Sequence, residues 1–208
     1  MTVHRSRPGE RDSRAPGFQA DGLILGNHGL IVAADDCDAV RNLLEDVERR
    51  LSCPVRAAQA ADLDALAQTV PEGFRIALDP EVHALATDSF SMRVAVLGTL
   101  YPDPCVYLGA AVALVKGGQS AGDAVRDFLR VHGLLPRVLL VAGKGVLVAG
   151  DLNRAGREVL ISVKRVIERL DTGVPIRALD AAEVSNLVNW EAEKYRIALA
   201  GQYEDQCR

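Results

Sequence analysis

The sequence lacks the features that mark membrane, secreted and nucleic-acid-binding proteins. No apolar run approaches the roughly 18 residues needed to span a bilayer, and the first twenty residues contain no apolar block typical of a signal peptide. With a formal net charge of -4, the chain has no excess of Lys and Arg for binding nucleic acid or an anionic membrane. We therefore expect a cytoplasmic protein with small-molecule or protein partners.

Cysteine is also scarce. The four cysteines are far apart and form no C-x-x-C pair, in a chain whose 49% hydrophobic content is sufficient for a sizeable core. Neither a disulfide framework nor a thiolate metal site is expected, and structural thiols are favoured. These residues are Cys37, Cys53, Cys105 and Cys207.

The first ordered element is predicted to be a hairpin followed by a helix. Residues 1–20 are rich in Arg, Pro, Gly and Ser and are expected to be a flexible leader, which leaves 21–208 as the domain. The apolar runs Leu23–Leu25 and Leu30–Ala33 flank Asn27-His28-Gly29, a pattern typical of two buried strands joined by a tight turn. Asp35 or Asp36 then caps a helix whose apolar residues share one face. These are Ala39, Val40, Leu43, Leu44, Val47 and Leu51.

A similar unit occurs near the C-terminus, in the segment from Val138 to Leu170. A shift of about 116 positions aligns ten residues of the first unit with identical residues of the second, without a gap. We interpret the two units, about 21–60 and 136–175, as an internal repeat, although any two hairpin-helix units share such patterns. His28 aligns with Lys144, so the architecture does not require a histidine there.

A less regular region connects the two units. A helix is predicted at Leu63–Val70, and strands at Phe74–Leu78, Met92–Leu97, Cys105–Gly109 and Ala111–Lys116. The sequence further predicts a helix over Ser120–Val131, closed by Gly133, and a last helix over about Ala181–Ala200 that carries Trp190. The alternation predicts an α/β or α+β fold in which helices cover one largely antiparallel sheet system. An exposed sheet edge would favour a homo-oligomer.

Two glycine-rich segments can be interpreted either as anion-binding sites or as an ordinary turn and helix cap. Gly143-Lys144-Gly145 resembles a phosphate loop only superficially, because apolar residues continue as a strand where Ser or Thr would follow, and we interpret it as a hairpin turn. The segment from Gly117 precedes a helix start, where backbone N–H groups bind anions well, but an ordinary helix cap is the simpler interpretation. His83 is expected to be a half-buried or solvated residue at a helix start, and His132 to end a helix.

Several segments together resemble class II aldolases, a family shared with the adducin head domain. The N-H-G-L turn lies in "NHGLIVAADDCDAVRNLLEDVE", and "GTLYPDPCVYLG" is similar to a T-x-x-P-D-H segment of the family. The segment "PRVLLVAGKGVLVAG" is similar to its strand pair, and Trp190, Glu193 and Arg196 to a W-x-x-E-x-x-K ending. The later segments are most similar to the rhamnulose-phosphate aldolase type. The resemblance implies a class II aldolase-like layered α/β fold.

The resemblance also implies a chemistry. Such enzymes cleave a sugar phosphate or hydroxy-aldehyde with a divalent metal, usually zinc, that three histidines hold and that stabilises the enediolate. His28 matches the third of these ligands, and its neighbours Asn27 and Gly29 are then candidate substrate-binding residues. The sequence has no H-x-H pair, and Pro104 stands where the P-D-H segment has its histidine. No catalytic residue is predicted.

Three hypotheses follow from this incomplete set of ligands. In the first, another polypeptide supplies the missing ligands and the completed site performs aldol cleavage. In the second, the chain is a non-catalytic relative that acts in assembly or ligand binding. In the third, the chain is an unrelated α/β scaffold built by duplication, and His28 is incidental.

Overall fold

A computed structural model describes residues 3–6, 22–25, 29–191 and 195. The chain divides into two compact units, Met1–Pro54 and Val55–Arg208. Each unit is considered by itself below. No helix in the described ranges is both long and apolar enough to cross a membrane.

The first unit contains a three-stranded sheet of order β1-β2-β3 followed by a helix. Strand β1 (Val3–Ser6) is parallel to β2 (Gly22–Leu25), and β2 is antiparallel to β3 (Gly29–Val32). Residues 3–6, which fall within the expected leader, pair with β2 through their backbone, and the flexible leader stays a prediction. Residues 7–20 lie outside the described ranges.

Helix α1 (Cys37–Leu51) begins at the predicted aspartate. The Oδ1 atom of Asp36 accepts a hydrogen bond from the N–H of Ala39 at 2.8 Å, which satisfies one of the free donors of the first turn. The predicted apolar face is only partly covered, since Val47 is buried but Leu44 and Leu51 are 46% and 65% exposed. The start of the helix is thus confirmed, whereas full burial of its apolar face is not.

The second unit contains a four-stranded sheet of order β4-β7-β6-β5. Its strands pair antiparallel except for β5 and β6, which are parallel. Every residue of the two central strands is buried, as expected for consecutive apolar residues covered on both faces. The strands are β4 (Phe74–Ile76), β5 (Ala113–Val115), β6 (Val138–Val141) and β7 (Gly145–Ala149).

Helices cover both faces of this sheet, because successive side chains of each strand point to opposite faces. Leu140 and Val146 belong to the larger apolar cluster, and Leu139 and Leu147 belong to the other cluster with residues of α2 and α6. A short 3-10 helix at Pro80–His83 precedes α3. The α-helices are α2 (Leu63–Ala67), α3 (Ala84–Thr87), α4 (Ser89–Ala95), α5 (Pro102–Leu108), α6 (Ala121–His132), α7 (Arg154–Ile167) and α8 (Ala181–Asn189).

Two predicted strands are helices in the structure. Met92–Leu97 lies largely in α4, where the Oδ2 atom of Asp88 caps the helix by accepting from the N–H of Ser91 at 2.9 Å. Cys105–Gly109 lies largely in α5, which begins at Pro102, a residue whose fixed φ suits a first helical turn. A short apolar run is compatible with either a strand or a buried helix. Both wrong strand predictions were made for runs of this kind.

The remaining elements are close to their predicted positions but shorter. The helix predicted from Leu63 ends at Ala67, and the strand predicted from Phe74 ends at Ile76. Helix α8 ends at Asn189, and Trp190 is its C-cap residue rather than an interior position. The predicted continuation to Ala200 lies mostly outside the described ranges.

The two hairpin-helix units have matching element bounds. Strands β2 and β6 begin at Gly22 and Val138, and β3 and β7 begin at Gly29 and Gly145, which agrees with the shift found in the sequence. The hairpins nevertheless lie in two separate sheets, so the expectation of one sheet system was wrong. A short apolar hairpin pairs with whichever strands are nearest, and its sequence does not specify them. An origin of the two units by duplication stays a prediction.

Candidate functional site

The predicted metal and substrate residues surround the β2–β3 turn. Leu25 pairs with Gly29 at the turn end of the hairpin, and Gly29 has a φ of 102°. An added Cβ at Gly29 would meet no heavy atom within 4 Å, so the glycine is required by backbone conformation rather than by crowding. Asn27 and His28 lie outside the described residues, and their roles as substrate-binding residue and metal ligand stay predictions. The same is true of Gly29 as a substrate-binding residue.

His83 is fully buried, which corrects the expectation of a half-buried or solvated side chain. Its Nδ1 atom accepts a hydrogen bond from the N–H of Val146 at 3.0 Å, and it is 4% exposed. Burial lowers the pKa of His83, and its hydrogen bond to the backbone of Ala77 opposes this effect only in part. The imidazole is therefore neutral and joins the 3-10 helix to β7, so its Nδ1 lone pair is not available to a metal.

Gly145 makes room for this histidine. A Cβ at Gly145 would lie 2.8 Å from Nδ1 of His83 and 2.9 Å from Cδ2 of Leu66. Its φ of 153° also disfavours other residues. The interpretation of Gly143-Lys144-Gly145 as a hairpin turn is confirmed, since these residues join β6 to β7.

His132 ends α6, as predicted. Its ring stacks on that of Phe128 with 4.1 Å between centroids, and Gly133 closes the helix with a φ of 72°. The side chain is exposed at the end of the helix where a cation complements the dipole. Among the residues that the structure describes, no three His, Cys, Asp or Glu side chains are grouped as a metal site requires.

The cysteines differ in their surroundings. Cys105 is buried in α5, and burial raises the pKa of its thiol, which keeps it protonated and unreactive. Cys37 and Cys53 are exposed. The prediction of a structural thiol thus applies to Cys105, while Cys207 lies outside the described residues.

Arg56 forms a polar cluster that the sequence analysis missed. Its Nε donates to Oδ2 of Asp88 at 2.8 Å, and its other nitrogens donate to the carbonyls of Ile167 and Leu170 at 2.9 and 3.0 Å. The guanidinium also lies 4.3 Å from the centre of the Phe90 ring. A single arginine in an irregular segment gives no sequence signal, because each partner is more than thirty residues away.

The charge of Asp88 depends on this cluster. Burial alone would raise the pKa of Asp88, but hydrogen bonds from Ser91 and Arg56 outweigh burial and hold the pKa below its usual value. The carboxylate therefore remains ionised between its two partners. All three guanidinium nitrogens of Arg56 donate to protein groups, so Arg56 is a structural residue. It joins the segment that precedes α2 to two helices, α4 and α7.

A concave surface of the second unit lies beside the edge strand β5. It is an open groove of about 560 Å³, here termed the β5–α6 groove. Its polar side chains include those of Lys116, Gln119 and Asp127. Gln119 donates to Oδ2 of Asp127 at 3.0 Å, and Arg130 donates to Oδ1 at 2.8 Å. The apolar part of the lining is formed by Val112, Ala113, Leu114, Ala124, Phe128 and Val131.

The segment from Gly117, considered above as a possible anion site, forms the turn at one end of this groove. The hydroxyl of Ser120 caps α6 by accepting from the N–H of Asp123 at 3.1 Å, and it donates to the Asp123 carboxylate at 2.6 Å. The interpretation as an ordinary helix cap is therefore confirmed. A carboxylate at this position would repel an anion.

Comparisons with known proteins give one partial similarity. No family model matches the chain, and no curated protein matches it. The crystal structure of YgbL from Escherichia coli, described as "a putative aldolase/epimerase/decarboxylase", is similar at 21% identity with a TM-score of 0.31. The similarity covers 44% of each chain, so this chain spans less than half the length of YgbL.

Proposed function

We propose that the chain is a class II aldolase-family protein whose Asn27-His28-Gly29 turn contributes one ligand, His28, to a divalent-metal site. The observation that carries the proposal is the positive φ of Gly29, where β3 begins opposite the end of β2. An N-H-G-L segment needs such a residue to turn the chain between paired strands. The capped helix α1 then follows at the position that the family resemblance implies.

The remaining ligands are proposed to come from another polypeptide. Nδ1 of His83 already accepts a backbone hydrogen bond inside the core, and the ring of His132 is stacked on that of Phe128. Zinc affinity arises from several ligands acting together. Aldol cleavage of a sugar phosphate or hydroxy-aldehyde is accordingly proposed for the completed assembly and not for this chain alone.

A second candidate is a non-catalytic aldolase-fold protein that acts in assembly or ligand binding. The observation that favours it is the β5–α6 groove, which offers a concave, largely apolar surface with only a few polar groups. This candidate needs no metal and no second set of ligands.

Metal content tests the first candidate. The full chain, purified without a His tag, is analysed for bound metal and titrated with zinc in a calorimeter, alongside His28→Ala and His132→Ala. The His132 variant is the matched control, because it removes an exposed imidazole from a helix end. Near-stoichiometric metal that is lost only with His28 would support the first candidate and justify assays of aldol cleavage. No binding at micromolar zinc would show that copies of this chain alone do not form the metal site, and the titration would then be repeated in the presence of the polypeptide that supplies the missing ligands.

A further inference from the structure

The apolar face of α1 is exposed where the equivalent face of α7 is buried. The shift of about 116 positions that relates the two hairpin-helix units aligns Leu44 with Leu160 and Leu51 with Ile167. Leu160 and Ile167 are 2% and 1% exposed, whereas Leu44 and Leu51 are 46% and 65% exposed. The same positions of the repeated pattern are therefore core residues in one unit and surface residues in the other.

A neighbouring helix accounts for the burial in the second unit. Leu160 and Ile167 belong to the larger apolar cluster, which also contains Leu108 of α5, and α5 packs on α7. An apolar helix face is stabilised when a second helix covers it. By comparison with α7, the exposed face of α1 is suited to packing against a helix.

The exposed face of α1 forms a narrow stripe along the helix, here termed the Leu44 face. Cys37, Leu44 and Leu51 recur every seven residues, and seven residues are close to two turns, so the three side chains lie in line. Cys37 is exposed like the two leucines. Val47 is buried and α1 packs on β3, so the side of the helix that carries Val47 faces the sheet. The opposite side of the stripe faces solvent.

Two opposite charges border the Leu44 face on its solvent side. Arg41 lies three residues before Leu44 and Glu48 lies four residues after it, so both side chains neighbour Leu44 on the helix surface. Arg41 donates to Asp38 within α1, but both members of this pair are exposed and a guanidinium has further donors. Arg41 is therefore able to bind a second carboxylate.

An antiparallel pair of α1 helices brings these features together. With the two-fold axis at Leu44, each Leu44 contacts its copy. Leu51 of one helix then lies beside Cys37 of the other, because both are seven residues from the axis in opposite directions. The same flank of both helices meets, and Arg41 of one copy lies within one residue of the level of Glu48 in the other. Two such pairs of opposite charges form, one on each side of the axis.

We infer that the Leu44 face is the interface of a two-fold symmetric dimer, in which α1 of a second copy of this chain packs antiparallel on it. A second copy fits because the spacing of the stripe and its charges are self-complementary, as a two-fold interface requires. An oligomer through a sheet edge was expected from the sequence, whereas this dimer uses a helix face and leaves the strands of both sheets unchanged. It is independent of the metal site proposed above.

Sedimentation of the full chain between about 1 and 200 μM tests the dimer. The parent is expected to sediment with twice the mass of one chain at the upper concentration. Leu44→Asp is expected to weaken the dimer at least about 30-fold, as for a central interface residue. Leu63→Asp is the matched control, because Leu63 is 47% exposed, much as Leu44 is, but lies on α2 in the second unit. Circular dichroism establishes that each variant is folded.

Exchanging the two charges tests the pairing itself. Arg41→Glu or Glu48→Arg alone brings like charges together on both sides of the axis, and each is expected to weaken the dimer about 10-fold. The double variant Arg41→Glu/Glu48→Arg is expected to restore the dimer, because opposite charges meet again. A loss of folding, or of the pair with Asp38, would not be reversed in this way.

A disulfide placed at the axis tests the register. The native Cys37, Cys53 and Cys207 are first replaced by serine. In that background Leu44→Cys is expected to form a linked dimer under copper–phenanthroline, whereas Glu45→Cys, about 100° further around the helix, is not. A parent chain that is monomeric at the upper concentration overturns the inference. So does a dimer that Leu44→Asp leaves intact, or one that the double variant fails to restore while Leu44→Cys forms no link.

Discussion

Gly145→Ala should lower the stability of the second unit strongly. Among the described glycines of this unit that lie outside helices, no other replacement by alanine should destabilise it as much. The new Cβ would lie 2.8 Å from Nδ1 of His83 and 2.9 Å from Leu66, two side chains in the core. Moving His83 would also break its hydrogen bond with the N–H of Val146. Overpacking and the unsatisfied buried donor each cost about 1–3 kcal/mol. A total loss of about 3–5 kcal/mol is expected from these terms together with the strained φ.

Urea unfolding followed by circular dichroism measures this loss. For a unit of this size, such a loss of stability should also lower the melting temperature by roughly 10 °C. Gly117→Ala is the matched control, since Gly117 has no positive φ and an added Cβ there meets nothing within 4 Å. In a His83→Ala background, Gly145→Ala should cost less, because the clash with the ring is gone. A loss below about 1 kcal/mol in the parent background would refute the reasoning.

Three further predictions concern pH, the arginine cluster and the core. Because burial lowers the pKa of His83, the unfolded chain binds more protons than the folded protein below about pH 6.5, and stability should decrease as the pH falls from there. Urea midpoints from pH 5 to 8 check this, and an unchanged pH slope in His83→Gln would contradict it. Arg56→Ala should cost about 2–3 kcal/mol in urea unfolding, because it removes the charged partner of the Asp88 carboxylate and the side-chain donors to two backbone carbonyls, whereas the exposed pair removed by Arg126→Ala should cost under about 1 kcal/mol. Leu139→Ala should cost about 2–5 kcal/mol at a fully buried position, and a smaller loss in the same assay would show that the core collapses around the cavity.

Local signals predicted the parts of the fold whose cause lies within a few residues. Asp36 caps α1 through a bond to a residue three positions away, and Gly133 ends α6 through its own positive φ. Both could be read from spacing alone. The helix around Met92 could not be predicted from spacing, because its burial is set by packing against residues distant in the chain. Short apolar runs suit either a strand or a helix.

The candidate site shows the same division. His83 and Val146 are 63 positions apart, so no local pattern could predict that the histidine is bonded inside the core. The β5–α6 groove likewise depends on sheet order, which places β5 at an edge. The segment from Gly117 and the helix that follows it could be predicted from the sequence, but nothing in the sequence indicated that they border an edge strand. The role of His28 stays a prediction carried by the N-H-G-L resemblance.

The central hairpin of the second unit has a consequence for how the chain avoids aggregation. Val138–Val141 is a short, uncharged, β-branched and aliphatic segment, the type that stacks into fibrils when exposed. Arg137 precedes it and Lys144 follows it, so a charge on each side opposes stacking while the chain is unfolded. Its folding partner, β7, begins only four residues after β6 ends. Such a hairpin forms in about 1–10 μs, which limits the time for which the segment is exposed to other chains.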